Sequence, residues 1–452
     1  MAMGSRRRIA VIGLGAAIAL TTSGCLQNPN EGGAGGEGLN GYVDNSKADG
    51  DKVVEVLGAF GGAEEEAFNA SMAAFEEESG IDVKYTADSD FTTTVKTKVN
   101  SGDAPDIGLF PQPGGLLELA GDGYVQPINT YLDFDALDRS LVPGFLESAR
   151  LNGVVYGAPM RMAVKSIVWY PKPAWEAAGY PTEFKSVQEL NAFAEELKSK
   201  GETPWCMGWE SDQATGWVGT DWVEELVLRI GGPDVYDDWI YHRIPFDDDV
   251  VVEAMDAFGE VAKTDGNVLG GARAILSKPF SEAMLPAFED KPQCWMERQG
   301  NFATGFYPAD VQENLDEEVG IFVYPPYEGG YQGQPILGGG DIAALFNGND
   351  EDAQAVAEYM TSPEFGGEWA KAGGWLSPHT TFDQSNYPNE TTKKIAEIAY
   401  TSDVFRYDGS DVMVKSVGSG TFWTEMVRWM QGESSADTAA AIEASWPTEE
   451  EE

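Results

Sequence analysis

The stretch from Val53 to Phe110 most constrains how this chain can fold, because its hydrophobic pattern alternates between strand and helix periods. Val53-Val54-Glu55-Val56-Leu57 reads as a short strand, followed by Ala59-Phe60-Gly61-Gly62 and a helix. Phe68, Met72 and Phe75 fall at i, i+4 and i+7 and mark the buried stripe of that helix. Gly80 ends it, residues 81–85 form the next strand, residues 91–100 a second helix and residues 106–110 a third strand. Strand-helix-strand-helix-strand order implies an α/β fold with a parallel sheet wrapped in helices. Ligands of such sheets meet the loops at the carboxyl ends of the strands, here Phe60-Gly61-Gly62, Asp88-Ser89-Asp90 and Pro111-Gln112-Pro113.

A second unit of the same class is expected from Gly157-Ala158-Pro159 onward. Ser166-Ile167-Val168-Trp169-Tyr170 reads as a strand. Ser186-Val187-Gln188-Glu189 is a capping box opening a helix with Val187, Leu190, Phe193 and Leu197 on one face. Residues 319–324 form a later strand. Gly338-Gly339-Gly340-Asp341 reads as a loop, residues 342–346 as a strand, and Asp352 starts a helix running to Met360. Helices over 421–430 and 436–444 close the chain. No short-period repeat is present, which argues against a solenoid or propeller.

The amino-terminal segment supplies an address. Arg6, Arg7 and Arg8, an apolar run over residues 9–20 and Thr21-Thr22-Ser23-Gly24-Cys25 make an export signal, residues 1–24, too short for a comfortable membrane span. Ser23 and Gly24 before Cys25 resemble the lipobox of bacterial lipoproteins. This favours acylation of Cys25 and anchoring to the outer face of the cell membrane over an ordinary secretory signal. Thr22 stands where that motif usually has Leu, and the arginines also suit twin-arginine export. Residues 25–51 are Gly- and Asn-rich and read as a flexible tether; residues 447–452 form an acidic tail.

The formal charge of −46 arises from 75 acidic and 29 basic side chains and excludes nucleic acid as a partner, since phosphate binding needs a basic patch. High-salt adaptation is the sharper reading of this acidity, general solubility the plainer one. Self-repulsion is screened as the Debye length falls from about 10 Å at 0.1 M to about 3 Å at 1 M. The melting temperature should therefore rise between low and molar NaCl, and equal stability at both would sink the salt reading. Of the three cysteines, Cys206 and Cys294 remain once Cys25 is acylated, and outside the cytoplasm they are expected to pair. Only His242 and His379 are present, neither at ligand spacing from the cysteines, so no metal site and no cofactor are expected.

Beyond these generic features, SGDAPDIGLFPQPGGLLELAGDGYVQPI and YGAPMRMAVKSIVWYPKPAWEAAGY resemble the carbohydrate-binding proteins of ABC importers. TPWCMGWESDQATGWVGTDWVEELVLR, CWMERQGNFATGF, PILGGGDIAALF, GGWLSPH and VFRYDGSDVMVKSVGSGTFWTEMVRWM are similar to the α-glucoside-binding branch. The resemblance implies a two-lobe periplasmic-binding-protein-like (type II) fold with hinge strands. Lobe 1 would comprise 52–160 plus 339–380, and lobe 2 161–338 plus 381–446. It implies a monomeric receptor rather than an enzyme, binding one small sugar and serving a permease with separate ATPase subunits, since the chain has no Gly-x-x-x-x-Gly-Lys-Ser/Thr phosphate loop.

A sugar offers hydroxyls at its edge and C–H patches on its faces, so its receptor needs polar groups and aromatic rings together. The candidates are Phe60, Asp88, Asp90 and Gln112 from the first lobe and Arg161 at the crossing. One of Asp88 and Asp90 is expected only to cap the following helix. Arg161 is either a sugar ligand, as in the related maltose-binding family, or an ion-pair partner. The second lobe supplies Trp209, Glu210, Trp217, Asp221 and Trp222, about half of the tryptophans being core. Trp217 and Trp222, five apart, cannot share one helical face, so one is free to turn to the cleft. Gln299 and Asn301 would be held beside this cluster by the Cys206–Cys294 bridge. Gly339, Gly340 and Asp341, then Trp375 and Trp423, complete the ring. Arg406 either donates to a sugar hydroxyl or pairs with Asp408 or Asp411, the ion pair being slightly favoured. Two other classes stay open: a secreted glycoside hydrolase using Glu210 and Asp221 as a carboxylate pair, and a receptor for a different small solute.

Overall fold

The structure is a computed structural model that describes residues 51–447. The expected export signal, Cys25, the expected tether up to residue 50 and residues 448–452 lie outside the described residues.

A six-stranded sheet forms the larger layer. Strands β1 (Val53–Gly58), β2 (Asp82–Ala87) and β3 (Ile107–Phe110) are parallel, with β1 in the middle, as the alternating pattern requires. Helices Ala63–Ser79 and Phe91–Ser101 cross between them; Phe68 and Met72 are buried, and Phe75 stacks on Tyr359. Gly80 ends the first helix at φ 72°, its N–H bonding Glu76 O. A left-handed φ suits glycine there because a Cβ would clash with the backbone.

A short hairpin pairs β4 (Arg150–Leu151) with β5 (Val154–Val155), after which β6 (Ala158–Val164) joins the large sheet and β7 (Ile167–Pro171) leaves it. In the second sheet β7 lies between β8 (Glu297–Arg298) and β9 (Val319–Val323). Both pairings are antiparallel, so the expectation of a second parallel unit is corrected here. The capping box over 186–189 forms in part. Ser186 Oγ accepts from Glu189 N at 3.1 Å, but Glu189 Oε2 accepts from Lys185 N instead of Ser186 N. The helix it opens, Val187–Ser199, buries Val187, Leu190, Phe193, Ala194 and Leu197. Each large apolar side chain so buried contributes roughly 1.5–3 kcal/mol.

The principal revision concerns the glycine run. Gly338-Gly339-Gly340-Asp341 is no loop but the middle of one long strand, β10 (Pro335–Leu345). β6 pairs with it along one edge. Along the other, β11 (Val404–Tyr407) pairs in parallel with residues 335–338 and β3 antiparallel with residues 342–345. A Cβ at Gly340 would lie 2.1 Å from Arg161 O, so this close strand approach tolerates only glycine. The chain passes from the large sheet to the second between β6 and β7, at Lys165 and Ser166. The late helices are Trp423–Met430, entered through a π-turn at Val417–Phe422, and Ser435–Glu443. Cys206 and Cys294 form a disulfide with Cα atoms 5.3 Å apart. Among the described residues, no helix is long and apolar enough to cross a membrane.

Candidate functional site between the lobes

β3 and β11 approach each other end to end along β10. Phe110 lies opposite Ile342 and Tyr407 opposite Gly338, so the carboxyl ends of both strands converge on Gly339, Gly340 and Asp341. Such a convergence is where an open α/β sheet presents a ligand crevice. Tyr407 Oη spans the gap, 2.9 Å from Pro111 O and in hydrogen-bond contact with Gly340 O.

Three clusters surround this point. In the first, the Arg161 guanidinium pairs with the buried carboxylate of Asp341 and with Glu64 Oε1. It lies 5.1 Å from the Phe60 ring centre and 5.2 Å from that of Trp369. Of the two readings of Arg161, the structure supplies the ion pair. Phe60 is buried, stacked on Tyr85 at 4.8 Å. Asp341 Oδ1 is buried with no hydrogen-bond partner, and burial pushes the Asp341 carboxyl above its ordinary pKa.

The second cluster is built on Lys165, at the β6–β7 crossing. Its ammonium bonds Asp408 Oδ2 and lies 3.1 Å from Asp221 Oδ1. All three side chains are buried, and the Trp217 ring centre is 5.6 Å from Nζ. Burial, then the Lys165 charge working against it, leaves Asp221 pushed up to about 8. Burial also raises Asp408, but the Lys165 charge and hydrogen bonds from Asp221, Lys165 and Ser410 hold it below its ordinary value. Protonated Asp221 therefore donates to ionised Asp408, which Lys165 neutralises. Asp221, Glu224 and Asp408 carry carboxylate oxygens within 4.8 Å of one another, as a cation site would need. Those oxygens are already used: Glu224 accepts from Gly409 N and Ser410 N, and Lys165 supplies the cation.

A pH prediction follows. Asp221 has a folded pKa raised above its unfolded value of 3.8, so its stabilising contribution is full below pH 3.8 and is lost as pH rises through about 8. Asp221→Asn keeps the hydrogen bond and removes the titration. Chemical unfolding from pH 6 to 9 should show a shallower fall in stability for the variant. An unchanged slope would place the proton elsewhere.

The third cluster joins Gln112 to Thr92 Oγ1 at 3.4 Å and to the Asp411 carboxyl. Asp88 Oδ1 accepts from Asp90 N at 2.8 Å, and the hydroxyl of Thr94 helps lower its pKa. Asp90 occupies the N-cap position of helix Phe91–Ser101 but its side chain makes no capping bond, so of the two it is Asp88 that bonds the start of this helix.

The structure separates the tryptophans. Trp209 and Trp222 are fully buried, 6.0 Å and 5.1 Å from the Phe258 ring centre, and Trp375 is fully buried against Phe365 and Phe382. Trp217 is half-buried and donates Nε1 to Ser211 Oγ, with Phe280 5.1 Å and Phe302 6.1 Å away. Phe280 in turn meets Phe306, the one large hydrophobic exposed among the described residues. Trp423 is half-buried; its Nε1 is buried without a partner and its carbonyl oxygen packs against Gly216. Helix Trp217–Ile240 explains the split, since residues five apart are rotated by more than a full turn and point in different directions.

The remaining candidates are tied into backbone bonds. Gln299 Oε1 accepts from Gly300 N, Asn301 Oδ1 from Val164 N, and Glu210 Oε1 from Asp212 N. Arg406 pairs with Asp237, not Asp408 or Asp411, because the latter two face Lys165 and Gln112. Lys165, Tyr407 and Phe280 were missed in sequence. The signal that could have found Lys165 is a lone cation in the otherwise apolar run MAVKSIVWY.

Residues 61–367 match the family described as bacterial extracellular solute-binding protein. The chain belongs to that family. This solute-binding protein is 41% identical over 412 residues to the osmoprotective compounds-binding protein GgtB of Synechocystis sp., covering 91% of this chain and 95% of that one. It is 34% identical over 402 residues to the alpha-glucosides-binding periplasmic protein AglE of Rhizobium meliloti, covering 87% of each. Among solved structures, RafE of Streptococcus pneumoniae superposes with TM-score 0.68 at 18% identity, covering 87% of this chain and 96% of that one. The GacH receptor of Streptomyces glaucescens does so with TM-score 0.61 at 20% identity, covering 86% and 96%. The solved structures establish the two-lobe fold alone, and the family places the solute-binding protein outside the cytoplasm as a transport component.

Proposed function

We propose that this solute-binding protein is the receptor of an ABC sugar importer and holds one neutral α-glucoside between its lobes. The carrying observation is the half-buried aromatic wall of Trp217, Phe280 and Phe302 beside a polar floor of Lys165, Asp221, Asp408 and Tyr407. Aromatic faces against C–H patches, with polar groups at the ring edge, are what a sugar demands. The names of its relatives support the same class, one binding osmoprotective compounds and one α-glucosides. A trehalose- or sucrose-type ligand satisfies both descriptions.

Gln112, Trp217 and Trp423 are the proposed direct contacts, with Asp88, Asp90 and Glu210 on the surrounding loops. Arg161, Asp341, Asp221, Gln299 and Asn301 shape the floor through the bonds described above, while Phe60, Trp209, Trp222 and Trp375 support it by packing. Lobe boundaries at 160/161 and 338/339 fall inside β6 and β10, so closure bends these strands. The lipid anchor at Cys25, followed by its tether, keeps the receptor at the membrane surface near a permease and its ATPase subunits. We read the chain as non-enzymatic: Asp221, the carboxylate that a hydrolase reading pairs with Glu210, is enclosed with Lys165 and Asp408.

Calorimetric titration with trehalose, sucrose, maltose and glucose tests this. At least one α-glucoside should bind with about micromolar affinity or better, roughly −8 kcal/mol, and be recovered intact. Failure of all four would move the protein to another solute, and release of free glucose with turnover would make it a hydrolase.

A further inference from the structure

A cavity of about 670 Å³ lies apart from the cleft. Its lining includes Gln334 and Asp403, immediately before β10 and β11, so it opens at the amino ends of both strands, away from the middle of β10 and the carboxyl end of β11 that meet at the cleft. Tyr170, Phe184, Phe322 and Tyr324 provide an aromatic wall. A volume of several hundred Å³ with apolar walls and a few polar groups suits a small molecule.

Arg229 is among the residues that line this cavity, and the protein leaves its guanidinium incomplete. Its Nε donates to Glu225 Oε1 at 2.8 Å, while Nη1 and Nη2 are buried with no acceptor. Arg298 Nη2 takes the other oxygen of Glu225, also at 2.8 Å, and Arg298 Nε is likewise without a partner. All three side chains are almost fully buried. One carboxylate therefore serves two guanidinium groups, and a positive charge remains in a chain of net charge −46. Leaving a buried charge and two donor groups unmet is costly, so such groups nearly always have an acceptor. At the rim, Lys394 Nζ donates to Ile321 O at 3.2 Å and has no carboxylate partner among the described residues. An adjoining cavity of about 300 Å³ shares Tyr170, Ile321 and Lys394 and adds Lys172, whose Nζ donates to Asp316 O.

We propose that this cavity is a second binding site, for a small organic carboxylate whose two oxygens meet Arg229 Nη1 and Nη2 and whose apolar body lies on the aromatic wall. The planar guanidinium fork matches a carboxylate in a bidentate manner. Glu183 and Asp403, also in the lining, disfavour a doubly charged phosphate. Because the Nη groups are buried, an entering ligand must displace what covers them, which favours a charged acceptor over a neutral one.

Titration of the full chain with benzoate, with benzyl alcohol and inorganic phosphate as comparisons, tests the site with and without trehalose. Benzoate should bind one to one, at least about tenfold tighter than the alcohol, with trehalose leaving its affinity unchanged. A crystal structure with benzoate should show its carboxylate on Arg229. Arg229→Met should weaken benzoate by about tenfold or more and leave sugar binding intact. If that variant does not fold, Lys394→Glu at the rim should still weaken benzoate severalfold. Water alone at the Nη groups, equal binding of benzoate and the alcohol, tighter binding of phosphate, or displacement by trehalose would each overturn the proposal.

Discussion

Replacing Lys165 by methionine should lower the unfolding free energy by about 3–5 kcal/mol, the typical result of removing one partner from a buried ion pair. Methionine nearly matches the volume, so little of the loss comes from a cavity. It comes from leaving Asp408 ionised without a cation, surrounded by Asp221, Glu224 and Asp411, whose carboxyls burial already pushes above their ordinary pKa. Burial works against the ammonium too, but Asp221 and Asp408 hold it protonated. Urea unfolding at pH 7 measures the effect, and adding Asp408→Asn to Lys165→Met should recover part of it, because the orphaned charge is then gone. A loss below about 1 kcal/mol would mean that the cluster behaves as a solvated surface pair. The same variant should weaken sugar binding, since Lys165 joins the β6–β7 crossing to helix Trp217–Ile240 and to the segment after β11.

Trp217→Ala is expected to weaken α-glucoside binding by about 30- to 150-fold, roughly 2–3 kcal/mol, as for an aromatic anchor. Its melting temperature should change little, because the ring is only half-buried and packs against Phe280 and Phe302 at the edge of the lobe. Trp222→Ala supplies the contrast. That ring is enclosed by Phe258, Trp205 and Tyr324, so its loss should cost about 3–5 kcal/mol of stability. Thermal unfolding and calorimetric titration of both variants separate the roles. Equal affinity for wild type and Trp217→Ala would remove the aromatic wall from the site.

The first lobe was legible because β1, β2, β3 and their two helices are contiguous, and a single hydrophobic pattern records both period and order. The pairing of Cys206 with Cys294, 88 residues apart, was also within reach, because few cysteines remained to choose from. Only the carboxyl half of β10 was legible, as the strand read over 342–346. Three glycines carry no periodicity, and its three neighbours lie far away in sequence, so the local reading was a loop. Arg406 failed for a similar reason: Asp408 and Asp411 are near in sequence, but Asp237 is the carboxylate that faces it. Half of the tryptophan problem could be stated from spacing alone, since Trp217 and Trp222 cannot share a face. Which one is enclosed depends on Phe258, which comes from another helix.

By itself the sequence determined the α/β class and the family resemblance, and it set the expectations of an export segment, of no nucleic-acid partner and of the residue types that a sugar site needs. These follow from local periodicity and from composition, which each segment carries without reference to the rest. Only the tertiary structure decided that Arg161 is held by Asp341 and Glu64, that Lys165 neutralises the floor, and that Trp217 rather than Trp222 lies near the surface. Those outcomes depend on which groups meet in space and how much water each retains, and desolvation is a property of the folded surroundings.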